Sequence, residues 1–173
     1  MRSPKRASAE PPVGGTITSL VAKRGATDRL VVYLDGARAF ELAVPIADAE
    51  PLRARDHLDA REVQRLIEKD APYRARERAL KFIAVRDRSC HEVESRLSRA
   101  GFDAEVVAGA IAWLRDLGYV DDQRFAAHYV AEKLRGGWGD RRIASELGRL
   151  GVDRHVVTEA LQEAEAAFRD DSG

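Results

Sequence analysis

The sequence predicts a mainly α-helical protein: tandem three-helix, helix-turn-helix-like repeats, preceded by a small N-terminal β-hairpin or three-strand region. Three observations predict it. Strand-like patterning is confined to the first 58 residues of 173. From Asp59 onward, cap residues and glycines punctuate one helical apolar spacing after another. Finally, sliding the chain by 50 residues pairs 93–111 with 143–161 without a gap, and eight of nineteen pairs are identical. These are Ser95/Ser145, Leu97/Leu147, Arg99/Arg149, Gly101/Gly151, Asp103/Asp153, Val106/Val156, Val107/Val157 and Ala110/Ala160.

Residues 1–14 read as a disordered arm, with Pro4, Pro11, Pro12, Gly14 and Gly15 framing polar filler. A small β region follows over 15–58. Residues 16–22 carry β-branched side chains, and 30–34 (LVVYL) form a compact apolar strand. Asp35-Gly36 suits a two-residue type I′ turn, which needs positive φ at both central positions. Phe40 and Leu42 then alternate with Arg38 and Glu41, and Pro45 marks the end of pairing. Asp59 caps a linking helix over 59–71 bearing Val63, Leu66 and Ile67, and Pro72 is placed as a first-turn proline opening a helix to about residue 87.

The two repeats are expected over 72–118 and 121–168, with a disordered tail at 169–173. Ser89 with Glu92 spells a capping box. Each repeat then runs leucine, three residues, glycine, apolar residue, aspartate: Leu97, Gly101, Phe102, Asp103, and Leu147, Gly151, Val152, Asp153. The leucine ends the core stripe, the glycine takes a left-handed C-cap, the apolar residue closes over it, and the aspartate caps the next helix. Asp121 or Asp122 opens a helix carrying Phe125, Ala126, Tyr129, Val130 and Leu134 up to Gly136-Gly137.

Composition narrows the function classes. The 29 Lys+Arg cancel the 29 Asp+Glu, which excludes a globally basic nucleic-acid coat and an acidic solvating tail. With 34% charged and 6% aromatic residues, the chain suits a surface-rich helical protein with a thin core. A single cysteine, Cys90, excludes an intramolecular disulfide and points to a reducing compartment. No apolar run approaches the roughly 18 residues of a membrane span, and the basic N-terminus lacks the apolar segment of a signal peptide. A soluble, cytoplasmic monomer without membrane contact is expected.

Catalytic patterns are missing. No phosphate-binding G-x-x-x-x-G-K-[ST] loop occurs, and His57, His91, His128 and His155 are scattered without ligand spacing. Cys90 reads as an ordinary, partly exposed thiol, since its neighbour His91 points elsewhere on a helix. The Gly136-Gly137-Trp138-Gly139 stretch reads as an inter-helix linker anchored by Trp138 rather than a ligand loop. No enzyme, cofactor or metal is expected.

The surface signal is charge. Residues 72–100 hold eight Lys or Arg against four acids, whereas 152–173 hold two against six. On a 100°-per-residue wheel, Arg78, Lys81 and Arg88 lie within about 40° of Arg74, opposite Ala79, Leu80 and Ile83. This stripe, Arg74, Arg78, Lys81 and Arg88, is the candidate partner-binding face; a plain solvated face is the bland alternative. Arg99 and Arg149 occupy equivalent places before the two glycine caps and suit either a partner contact or terminal carbonyls. Glu92 and Arg96, four apart in the favourable order, are expected to pair.

The run Ala79-Leu80-x-x-Ile83-Ala84-x-Arg86-x-x-Ser89-x-x-Glu92-x-x-x-Arg96-Leu97-x-x-x-Gly101-Phe102 resembles the first repeat of the RecX regulatory proteins. Leu117-Gly118-Tyr119-Val120-Asp121-Asp122-x-x-Phe125-Ala126-x-x-Tyr129-Val130 resembles their second, and the likeness continues through Gly137-x-Gly139-x-x-x-Ile143-x-x-Glu146-Leu147-x-x-x-Gly151-Val152. It covers about residues 72–165, and the β region is similar to an extension that some members carry. The resemblance implies a non-enzymatic modulator that lies along the RecA–single-stranded DNA filament and restrains its growth, ATP hydrolysis, strand exchange and co-protease activity. It leaves open direct contact with single-stranded DNA. The family commonly has three repeats, so either the β region stands in for the third or the footprint is shorter. The runner-up is a sequence-specific helix-turn-helix repressor. The acidic openings at Asp103-Ala104-Glu105 and Asp153 speak against it, because they repel phosphate.

Overall fold

The computed structural model describes residues 13–26 and 28–170. The elements run β1 (Gly15–Ala22), β2 (Arg29–Leu34), β3 (Ala37–Ala43), α1 (Val44–Ala49), β4 (His57–Leu58), α2 (Ala60–Ile83), α3 (Cys90–Arg99), α4 (Ala104–Asp116), α5 (Asp122–Arg135), α6 (Asp140–Arg149) and α7 (Arg154–Asp170). The fold is mainly helical with a small antiparallel sheet, as the sequence predicts. Residues 1–12 of the expected arm and 171–173 of the expected tail lie outside the described residues; Arg169 and Asp170 belong to α7. The chain divides into two compact units, 1–74 and 75–173, with the boundary falling inside α2.

In the first unit the sheet order is β3-β2-β1-β4. Asp35 and Gly36 both take positive φ, 49° and 83°, and close the expected hairpin between β2 and β3. Alternation puts Ile17, Val32, Leu34, Phe40 and Leu42 on one face, where they pack with Leu58 and with Val63 and Leu66 of α2. Two elements add to the three-strand reading. Pro45 opens the short helix α1 instead of merely ending a strand, and β4 pairs only two residues with β1, Gly15 with Leu58 and Thr16 with His57.

The expected break at Pro72 is absent: α2 is one helix of 24 residues with Pro72 inside. A proline holds a helix-compatible φ and removes one hydrogen bond, and the packing on either side offsets that cost. Leu66 and Asp70 are buried before it, Ala75 and Ala79 after it. Asp70 is fully buried and holds Arg29 by two hydrogen bonds, of 2.8 and 2.9 Å, while accepting the Ala43 N–H at 2.7 Å. The pair ties the start of β2 and the end of β3 to the helix.

The second unit carries the repeat. Val93, Leu97, Val107 and Ala110 are buried in one cluster, and their 50-residue equivalents Ile143, Leu147, Val157 and Ala160 are buried in another. Both α3 and α6 end alike. The N–H of Phe102 bonds the Leu97 carbonyl and that of Val152 the Leu147 carbonyl, while Gly101 and Gly151 take φ of 89° and 76°. This is the left-handed cap the sequence predicts. The Ser89–Glu92 capping box is present in both directions, and Asp121 accepts the Arg124 N–H. Asp103 sits at its N-cap position but makes no side-chain cap bond.

Candidate partner-binding surface

The predicted stripe divides once its helix is placed. Arg78 and Lys81 are exposed on α2 beyond the buried Ala75 and Ala79, and neither has an ion-pair partner among the described residues. Arg74 is drawn to the structural pair in the first unit, its Nε 3.4 Å from the buried Asp70 carboxylate. Arg88 is not on the stripe at all. The helix stops at Ile83 rather than near residue 87, so Arg86 and Arg88 belong to the connection into α3. The Arg88 side chain is only 15% exposed, bonded to Glu92 at 3.3 Å and lying 4.1 Å over the Phe82 ring.

Glu92 also explains why the expected Glu92–Arg96 pair does not form. The capping box turns its carboxylate back onto the Ser89 N–H, where Arg86 and Arg88 meet it. Arg96 instead stands over Phe82, 5.5 Å from the ring centroid. Arg99 is exposed at the end of α3 without an ion-pair partner among the described residues. Arg149 is 74% exposed and bonds Glu146 at 3.0 Å. Neither bonds a terminal carbonyl of its helix. Together with Phe82, His91, Glu92, Ser95 and Arg96, these two arginines line a groove of about 290 Å³.

The repeats are joined by bonds that hold this groove. The Ser89 hydroxyl donates to the Leu150 carbonyl while accepting the Glu92 N–H at 3.2 Å. The Cys90 N–H donates to the Asp122 carboxylate at 2.8 Å. Gly151 lies against His91, where an added Cβ would stand 2.3 Å from the His91 Cβ and Cγ. Gly101, its counterpart, has open space around it. The sequence marks Ser89 as a cap and Gly151 as a turn. It carries no local sign of the second role of either, because the partners are remote in the chain.

Cys90 is buried, not partly exposed. Burial pushes its thiol above the usual range, against the Arg115 guanidinium, whose Nε lies 3.3 Å from the sulfur. Trp138 packs against the second repeat's core with the Arg142 guanidinium 3.6 Å from its ring, in keeping with an anchor. No helix among the described residues is long and apolar enough to cross a membrane.

Two three-helix units with matching caps and matching buried positions, following a small sheet, define a tandem three-helix-repeat protein. Residues 75–114 match the model for the RecX first three-helix domain, and 121–161 match that for the second. The chain is 30% identical over 145 residues to the regulatory protein RecX of Clostridium botulinum (strain Alaska E43 / Type E3), covering 84% of this chain and 68% of that protein. It is 32% identical over 146 residues to that of Bacillus subtilis (strain 168), covering 84% and 55%. A crystal structure of regulatory protein RecX matches with a TM-score of 0.67 at 23% identity, over 86% of this chain and 73% of that one. RecX from Lactobacillus salivarius matches at 0.53 and 24%, over 54% and 61%. The chain belongs to the RecX family of regulatory proteins.

Proposed function

We infer that the protein is a non-enzymatic regulator that binds the RecA–single-stranded DNA filament. It restrains filament growth and with it ATP hydrolysis, strand exchange and co-protease activity. It acts in the cytoplasm, as a monomer and without a cofactor. The observation that carries this reading is the pair of RecX three-helix domains in tandem, at 75–114 and 121–161. The surface supports it. Arg78, Lys81 and Arg99 offer exposed charge that no acid of the described chain neutralises, and Arg149 is held only by an exposed pair, which is worth little. These four are the filament-binding residues on this reading. Arg74 and Arg88 serve the protein's own structure first, through Asp70 and through Glu92 and Phe82.

The test is the ATPase of RecA on single-stranded DNA with rising amounts of the protein. The rate falls with dose, and the protein alone hydrolyses no ATP. An unchanged rate at saturating protein refutes the reading.

A further inference from the structure

We propose that the groove between the two three-helix repeats binds the phosphodiester backbone of a single nucleic-acid strand, held by Arg96, Arg99 and Arg149. The inference rests on the filament reading for its setting. Its test contains no RecA, so the two can fail separately.

Three guanidinium groups reach this groove, two from α3 and one from the end of α6. Their charge is not spent internally. Among the described residues Arg99 and Arg96 have no ion-pair partner, Arg96 standing over the Phe82 ring, and Arg149 has one, the half-buried Glu146. The one acid lining the groove, Glu92, is already engaged by Ser89, Arg86 and Arg88. The field in the groove is therefore positive, and concave walls concentrate it. The Ser95 hydroxyl and the His91 ring, 3.4 Å apart, add polar groups along the same side of α3.

Guanidinium forks fit phosphate oxygens as two-pronged donors. Arg96 and Arg99 stand three apart on α3, so they fall on one side of the helix. Arg149 comes to the same groove from the other repeat. Several forks along one groove suit a ligand that repeats its negative charge, as a strand does at each nucleotide, better than an isolated carboxylate. Phe82 at the groove wall is the kind of ring found beside cations in single-strand grooves. Neither repeat holds the site alone. Arg149 is brought to α3 by the close seat of Gly151 on His91, which gives this glycine a task that Gly101 does not share.

The test is fluorescence anisotropy of a labelled single-stranded oligonucleotide with the full chain, over a series of salt concentrations. Replacing Arg99 and Arg149 by alanine should weaken binding by about tenfold per arginine. The slope of log affinity against log salt should flatten by roughly 0.7 for each phosphate no longer neutralised. Both side chains are exposed, so melting should stay near the parent's. Poly-glutamate should compete far less well than unlabelled oligonucleotide of equal charge. A double variant with parental affinity and slope overturns the proposal. So does equal competition by poly-glutamate, which would assign the groove to an acidic polypeptide.

Discussion

Asp70→Ala is expected to lower the stability of the N-terminal unit by about 3–5 kcal/mol, the usual cost of removing one partner of a buried ion pair. The carboxylate is fully buried and accepts from two nitrogens of Arg29, itself 3% exposed, and from the Ala43 N–H, with the Arg74 Nε a further partner at 3.4 Å. Without it, the Ala43 N–H loses its acceptor and the buried Arg29 guanidinium loses both of its short bonds, with the Glu41 carboxylate 3.9 Å away. Urea unfolding of the full chain measures the loss, and a variant within about 0.5 kcal/mol of the parent, the range of an ordinary surface change, would contradict it. Replacing both charges, Arg29→Met with Asp70→Leu, should recover part of the loss, since a packed apolar pair carries no desolvation cost, while the Ala43 N–H still lacks its acceptor.

The second large effect separates two glycines that look equivalent. Both hold positive φ, so alanine at either costs on the order of 1–2 kcal/mol in backbone conformation. At Gly101 that is the whole cost, because a Cβ there meets nothing within 4 Å. At Gly151 the Cβ would stand 2.3 Å from the Cβ and Cγ of His91, and either the end of α6 or the start of α3 must move. Overpacking of this kind adds about 1–3 kcal/mol, so Gly151→Ala should melt well below Gly101→Ala. Adding His91→Ala should restore only part of the difference, since the His91 Cβ remains. Equal melting of the two glycine variants would mean that the repeats are not seated on each other there.

These cases mark what the sequence can carry. Caps and turns are local chemistry, and they are legible. Ser89 with Glu92, Asp121, Asp35-Gly36 and the glycines after α3 and α6 all act as their residue types dictate. The 50-residue offset is legible for the same reason, because matching burial demands matching residues. The continuous α2 is not, since its path through Pro72 is decided by packing on both sides. The short β4 is set by backbone pairing rather than by a run of strand-forming side chains.

The candidate surface is legible in half. Wheel geometry places Arg78 and Lys81 correctly because they lie within α2. It misplaces Arg88 because the helix ends earlier. It pairs Arg96 with Glu92 because the wheel does not know that a capping box has turned the carboxylate away. The groove itself joins residues some 50 positions apart and has no signature along the chain beyond the matched Arg99 and Arg149.

The measurement closest to the central claim is RecA filament ATPase in the presence of a charge-reversed variant: Arg78→Glu, Lys81→Glu, Arg99→Glu and Arg149→Glu. None of the four supports the core, so circular dichroism and melting should stay near the parent's, surface changes costing about 0.5 kcal/mol or less each. If these residues meet filament phosphates or acidic side chains, the folded variant should leave the ATPase at its uninhibited rate where the parent slows it. A folded variant that slows the filament as the parent does would return all four to an ordinary solvated surface and contradict the account.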